Sequence, residues 1–217
     1  MSLCPRSALC QPPAVMLYPK AHKMRVDTAV LLWTAPLAVL TTAAAAILAF
    51  HVWQVGPATR PTTPPEVREA LDVLGGHQAT AQLRDMLDHN QVSYQFVSMS
   101  PGMFARYTVN RKTIDIDLRL RDEDKLTLAA LLAHEAVHAQ DAVDGYLSTG
   151  GADACIGSEL RAFRTSGLFW TEVYGPAGKV DANDELEQQL NLIADRALHD
   201  PSALEQMVRL AYVNQCG

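Results

Sequence analysis

The feature that most limits how this chain can fold is an uncharged run at residues 28–50, TAVLLWTAPLAVLTTAAAAILAF. Its 23 residues are enough to cross a bilayer core as a helix, which takes about 20. Trp33 and Trp53 lie near its two ends, where aromatic side chains favour the membrane interface. A buried core helix rarely runs this long without a polar face. The run therefore predicts a transmembrane helix.

Basic residues before this run set its predicted orientation. Up to Asp27 the chain carries four Lys and Arg residues against one acid, which favours a cytoplasmic N-terminus and an extracytoplasmic main domain. Small residues at 43–46 also offer cleavage sites for a signal peptide, and cleavage would make the protein secreted. We favour an uncleaved anchor, because the apolar run is long for a signal-peptide core.

The chain thus divides into a cytoplasmic tail at 1–26, an anchor at 27–55, a Pro/Thr-rich linker at 56–66 and a main domain at 67–217. The formal net charge of −6 gives no reason to expect a nucleic-acid partner. Cys155 and Cys216 are the only cysteines of the main domain. An even pair in an oxidising compartment predicts a disulfide, and two separate buried thiols are the alternative.

Within the main domain the hydrophobic pattern predicts an α+β fold that is mostly helical, with a small sheet. Helices are expected at 67–74, at 78–89, from the acidic cluster at 122–124 to about Val143, and at 154–174, 181–200 and 201–213. The expected strands are 92–99 and a hairpin of 105–109 with 113–121. The last strand alternates, which predicts that Ile114, Ile116, Leu118 and Leu120 are buried and that Asp115, Asp117, Arg119 and Arg121 face solvent.

The stretch LLAHEAVHAQD contains the pattern His134-Glu135-x-x-His138. Residues four apart lie on one face of a helix, so both imidazoles can reach one metal ion. Glu135 faces slightly aside, where it can reach a water bound to that ion. Such a site needs a third protein ligand and an open fourth position. The apolar residues before the motif and Gly145 after it indicate a rigid helix, which favours a metal site over two satisfied core histidines.

Two residues are candidates for the third ligand. Asp144 lies ten residues after His134, where metzincin-like enzymes place their last ligand, but Asp141 stands where those enzymes need a glycine. Glu159 lies 21 residues after His138, far enough for a loop and a return on an antiparallel helix. We favour Glu159 on this geometry and on its ligand type.

The histidine pair followed by Glu159-x-x-Ala162 resembles the gluzincin clan of zinc peptidases, and in particular its small forms, the minigluzincins. The likeness covers roughly residues 92–174. It implies a small sheet, an active-site helix and a glutamate helix. It also implies that Zn²⁺ binds to His134, His138 and Glu159, with Glu135 as the general base of peptide hydrolysis.

One position departs from the gluzincin pattern: Phe163 stands where many gluzincins carry an acid. A histidine that binds a metal usually donates its other N–H to a carboxylate. Asp141 and Asp195 are candidates for that role. An extra donor to the oxyanion could come from Tyr146, Tyr174 or His199.

These features together predict a membrane-anchored zinc endopeptidase that acts on peptide or protein substrates outside the cytoplasm. Two other classes stay open. One is a catalytically inactive relative that binds a partner, and the other is a structural helical domain whose histidines bind no metal. The retained Glu135 favours the enzyme over a binding module, which needs no general base. The sequence indicates no oligomeric state.

Overall fold

The computed structural model describes residues 62–146 and 150–216. These contain the helices α1 Pro65–Gly75, α2 Ala81–His89, α3 Lys125–Val143, α4 Gly151–Tyr174, α5 Glu185–His199 and α6 Pro201–Cys216. They also contain the strands β1 Ser93–Val97, β2 Ala105–Thr108 and β3 Thr113–Asp117. The predicted α+β fold, mostly helical with a small sheet, is confirmed for this part of the chain.

The predicted tail and anchor, and most of the predicted linker, lie outside the described residues. Among the helices that are described, none combines the length and the apolar character that crossing a membrane requires.

The second helix begins later than the sequence pattern predicts. Residues 78–80 form a turn, and α2 starts at Ala81. The backbone N–H groups of Gln78 and Ala79 donate to the carboxylate of Glu172 on α4. These bonds satisfy two N–H groups of the turn before the helix, and they tie this turn to α4.

The sheet has the strand order β1-β3-β2. Strands β2 and β3 pair antiparallel, which confirms the predicted hairpin, and β1 pairs with β3 in parallel. A short 3₁₀ turn at Val109–Arg111 closes the hairpin. The next residue, Lys112, has a φ of 48°. Strand β3 is therefore central, and β2 forms one edge of the sheet beside helix α3.

The prediction that Asp115 and Asp117 face solvent is wrong, whereas Arg119 and Arg121, which follow β3, are exposed as predicted. Asp115 is only 1% exposed. Its carboxylate accepts hydrogen bonds from Gln95 of β1, at 2.7 Å, and from Arg111, at 2.8 Å. Arg106 of β2 forms a further ion pair with it at 3.2 Å. Because β3 is the central strand, long side chains from both neighbours cover its polar face.

The alternating pattern also ends earlier than predicted. Asp117 is 2% exposed, and its carboxylate accepts from the backbone N–H of Arg119 at 3.0 Å. This bond begins a 3₁₀ turn at Leu118–Leu120, where the two-residue period of a strand no longer applies. Leu118 was predicted to be buried but is 47% exposed, whereas Ile114, Ile116 and Leu120 are buried as predicted.

Helix α3 lies at the centre of the domain. The carboxylate of Asp124 caps its first turn by accepting from the N–H of Leu126. Gly145 follows its end with a φ of 70°, a left-handed conformation that favours glycine. Between these ends nearly every side chain is buried, including polar ones. The helix therefore holds its polar groups at fixed positions against β2 and α4.

The long helix α4 packs against α3 on one side and against α5 and α6 on another. At Gly167, an added Cβ would lie 3.2 Å from the backbone oxygen of Ile193, so the glycine permits the close approach of α5. The disulfide predicted between Cys155 and Cys216 is present, with Cα atoms 5.5 Å apart. It joins the first turns of α4 to the end of α6.

Candidate metal centre

The two histidines of helix α3 lie one turn apart and face the same point. Their Nε2 atoms are 3.2 Å from each other, and both residues are buried. The helical spacing of His134 and His138 alone accounts for this arrangement. The predicted convergence of the two imidazoles is confirmed.

Glu159 of helix α4 completes the cluster. Its Oε2 lies 3.6 Å from Nε2 of His134, and its Oε1 lies 3.6 Å from Nε2 of His138. The alternative residue, Asp144, follows the end of α3 and accepts a hydrogen bond from Gln140. Asp144 is not part of the cluster, so the structure favours Glu159 of the two.

The three side chains have the spacing that a tetrahedral metal ion requires. Ligand bonds near 2.1 Å at tetrahedral angles separate the ligand atoms by about 3.4 Å, and the separations found are 3.2 and 3.6 Å. Buried Oε2 of Glu159 has no hydrogen-bond partner. His134, His138 and Glu159 could therefore hold a metal ion.

A chain of hydrogen bonds leads away from His138. Its Nδ1 lies 2.9 Å from Oγ of Ser158, and that hydroxyl donates to Oδ2 of Asp141 at 2.5 Å. Arg161 pairs with the other oxygen of Asp141 at 2.7 Å. Because the Ser158 proton is directed at Asp141, the serine oxygen must accept from Nδ1–H of His138. This tautomer leaves Nε2 with a lone pair, as a metal ligand requires.

The two histidines differ in their protonation. Burial lowers the pKa of His138 to about 4, so its imidazole is neutral. Burial would also lower the pKa of His134, but the carboxylates of Glu159 and Glu135 raise it above its usual value. In the metal-free protein one proton can thus occupy the space between the ligands, and metal binding would release it.

Glu135 is completely buried beside this cluster. Burial, opposed by the nearby His134, raises the pKa of its carboxyl to about 7. The backbone N–H of Tyr107 on β2 lies close enough to lower that pKa. Neither carboxylate oxygen of Glu135, however, has a hydrogen-bond partner. A carboxylate that is buried without a hydrogen-bond partner lowers the stability of the fold. Such costly groups are typical of catalytic sites.

The predictions for the supporting groups are partly confirmed. Asp141 is connected to His138, but only through Ser158. Asp195 lies on the surface, where it pairs with His199, so the prediction that it supports a ligand is wrong.

The three predicted oxyanion donors contact residues away from the metal cluster. The ring of Tyr146 packs under the guanidinium of Arg161, and the hydroxyl of Tyr174 donates to Asp124. His199 pairs with Asp195 on the surface. None of the three lines the pocket at the metal cluster.

Tyr212 of helix α6 is a site residue that the sequence reasoning missed. Burial raises the pKa of its hydroxyl well above the usual value, and the nearby carboxylate of Glu159 raises that pKa further. Beside it lies a pocket of about 200 Å³, which reaches Glu159 and His138. The other lining residues come from β2 and the turn after it, from α4 and from α6: Tyr107, Val109, Cys155, Ser158 and Gln215.

Phe163 also has a role at the site. Its ring packs edge-on against the imidazole of His134, with ring centroids 4.6 Å apart. Phe163 therefore holds His134 by packing. It does so at the position where many gluzincins carry an acidic residue.

Comparison of the chain with protein-family models, curated proteins and solved structures finds no match. The resemblance to gluzincins therefore stays a prediction from the motif. What the fold and the site define is a helical α+β domain with a buried two-histidine, one-glutamate centre.

Proposed function

We propose that this domain is a zinc-dependent endopeptidase of the gluzincin type. The observation that carries the proposal is the position of Glu135. Its carboxylate is buried and unpartnered, and it directly neighbours a ligand set of two imidazoles and one carboxylate. Two histidines and one glutamate are a ligand set of catalytic zinc, which keeps its fourth position open for water.

When bound, zinc would polarise a substrate carbonyl and lower the pKa of a water molecule. His138 is prepared for this ion, since Ser158 fixes its tautomer. Burial raises the pKa of Glu135 to about 7 in the metal-free protein, and a carboxylate at this position could accept a proton from water and return it. In the proposed reaction it takes the proton of the attacking water and transfers it to the departing amine.

The sheet offers a place for an extended substrate. Strand β2 pairs only with β3 in the described sheet, so its other edge is free to pair. Tyr107 of this strand lines the pocket that reaches Glu159. A peptide added to β2 as a further strand would be held by backbone hydrogen bonds, with one of its side chains in that pocket.

The proposal includes the location of the enzyme. We infer that residues 27–55 anchor it in a membrane and that the domain lies outside the cytoplasm. The Cys155–Cys216 disulfide supports this location, because cytosolic reductants keep most protein thiols free.

The proposal is tested by cleavage of a peptide library with the purified full chain in detergent. Wild type should cleave, and Glu135→Gln should lose activity at least a few hundredfold, as is typical when a general base is removed. Glu205→Gln, which changes an exposed glutamate of α6, is the matched control and should cleave like wild type. Equal turnover of wild type and Glu135→Gln would reject the mechanism. Bound zinc without any cleavage would favour the inactive binding relative.

A further inference from the structure

Tyr212 belongs to the last described helix, yet it contacts the centre formed by α3 and α4. It is 2% exposed and lines the same pocket as Glu159, and it lies close enough to the carboxyl of Glu159 to help lower the pKa of that group. Its ring lies against that of Phe163, with centroids 5.9 Å apart, and Phe163 packs against His134. Tyr212 therefore lies beside Glu159 at the pocket and reaches His134 through a single intervening ring.

The disulfide lies one helical turn from this contact. Cys155 precedes Glu159 by four residues on α4, and Cys216 follows Tyr212 by four residues on α6. The start of α6 lies beside residues 160–164 of α4, while its end is bonded to Cys155, so the two helices run antiparallel. Because the helices are antiparallel, the step forward from Cys155 to Glu159 and the step backward from Cys216 to Tyr212 run in the same direction in space. The disulfide thus fixes the two helices next to the point where Tyr212 meets Glu159.

We propose that Tyr212 is a positioning residue for the metal ligand Glu159, and that the Cys155–Cys216 disulfide holds Tyr212 in place. This inference rests on the proposed metal site. It assigns the C-terminal helix a role in metal affinity, although none of its residues belongs to the ligand set.

The physical reason is the freedom of a glutamate side chain. Three rotatable bonds separate its carboxylate from the backbone, so holding the carboxylate in one position costs conformational entropy. The hydroxyl of Tyr212 restrains this carboxylate, while buried Oε2 stays without a hydrogen-bond partner. A restrained ligand with a free oxygen loses less entropy when the metal binds. Groups that orient a metal ligand typically account for a 10- to 100-fold difference in affinity.

The test is the Zn²⁺ affinity of the full chain, measured by competition with a chromophoric chelator. Tyr212→Phe keeps the ring and its packing on Phe163 but removes the hydroxyl. It should bind Zn²⁺ about tenfold more weakly or worse and should shift the visible absorption bands of bound Co²⁺. Tyr174→Phe is the matched control, since its hydroxyl donates to Asp124 away from the centre, and it should match wild type in both measurements.

The disulfide is tested with a double-mutant cycle. Replacing both cysteines by serine should weaken Zn²⁺ binding, and adding Tyr212→Phe to that variant should weaken it little further, because both changes remove the same restraint. If the serine variant does not fold, the folded wild type is treated with a water-soluble phosphine, which converts the disulfide to two thiols while water supplies the two protons and the oxygen of the phosphine oxide. Zn²⁺ affinity should fall on reduction in wild type but hardly in Tyr212→Phe.

The outcomes separate this inference from the proposed function. A wild type that binds no metal would overturn both. Normal metal binding by wild type together with unchanged affinity and an unchanged Co²⁺ spectrum in Tyr212→Phe would overturn the inference alone. Fully additive losses in the cycle would show that the disulfide does not act through Tyr212.

Discussion

The hydroxyl of Ser158 lies 2.9 Å from Nδ1 of His138 and links that histidine to Asp141. The serine is only 1% exposed. A single buried hydroxyl thus determines which nitrogen of His138 carries the proton. The nitrogen left with a lone pair is the one that faces His134 and Glu159.

Removing this hydroxyl should weaken metal binding. In Ser158→Ala, Nδ1 of His138 loses its partner, and the tautomer with a free Nε2 is no longer favoured. We expect the affinity for Zn²⁺ to fall about 10- to 100-fold, as for other groups that orient a metal ligand. Chelator competition on the purified full chain measures the change.

Ser166→Ala is the matched control for this experiment. Ser166 is also a buried serine of α4, but its hydroxyl donates to the backbone carbonyl of Phe163. The control should lose some stability while keeping its metal affinity. Equal affinity in Ser158→Ala and wild type would show that the bond does not select the tautomer of His138.

Metal binding should stabilise the fold. An ion that binds only the folded state at a concentration of one hundred times its Kd adds about 2.7 kcal/mol to the free energy of unfolding. Thermal unfolding with excess Zn²⁺ and with a chelator should therefore give two distinct midpoints, with the chelated sample lower. In His138→Ala the two midpoints should nearly coincide. A wild-type midpoint that does not respond to either addition would contradict metal binding in the folded state.

The pH dependence of stability should depend strongly on Glu187, which is 2% exposed. Burial alone would raise the pKa of its carboxyl, but hydrogen bonds from Lys179 and from the backbone N–H of Asn183 lower it below the usual value. A carboxylate whose pKa is depressed in the folded state stabilises the fold above its unfolded pKa. That stabilisation is lost as the pH falls through the folded value.

Glu187→Gln should therefore be less stable than wild type near pH 7, by roughly 2 kcal/mol for the loss of charged hydrogen bonds. The difference should shrink as the pH falls through the depressed pKa, because wild type then becomes neutral as well. Urea unfolding of both proteins across the acidic range measures it. Glu185→Gln, at an exposed position in the same helical turn, is the control. A difference that grows toward acid would have the wrong sign for this account.

Much of the centre follows from local patterns in the sequence. The spacing of His134 and His138 determines their convergence once the segment is a helix. Glu159 was predicted from the length of chain needed to return on a second helix. The disulfide was predicted from an even pair of cysteines in an oxidising compartment. These predictions needed only helical periodicity, residue type, spacing along the chain and the expected compartment.

The features that sequence reasoning missed depend on tertiary neighbours. Asp115 has the pattern of a solvent-facing residue, and only the placement of β1 and β2 on either side of β3 explains its burial. No spacing rule relates Tyr212 to Glu159 directly. One signal was available: a disulfide between antiparallel helices brings together the residues four after Cys155 and four before Cys216. Applying it requires knowing that the helices are antiparallel.

The most direct test of the central claim is the metal content of the full chain, purified without added metal and measured by elemental analysis. Wild type and Glu135→Gln should each contain about one zinc per chain, because Glu135 is not a ligand in a site of this kind. Glu159→Gln should contain almost none. A metal-free wild type, or a Glu159→Gln variant that keeps its zinc, would contradict the assignment of His134, His138 and Glu159 as the metal centre.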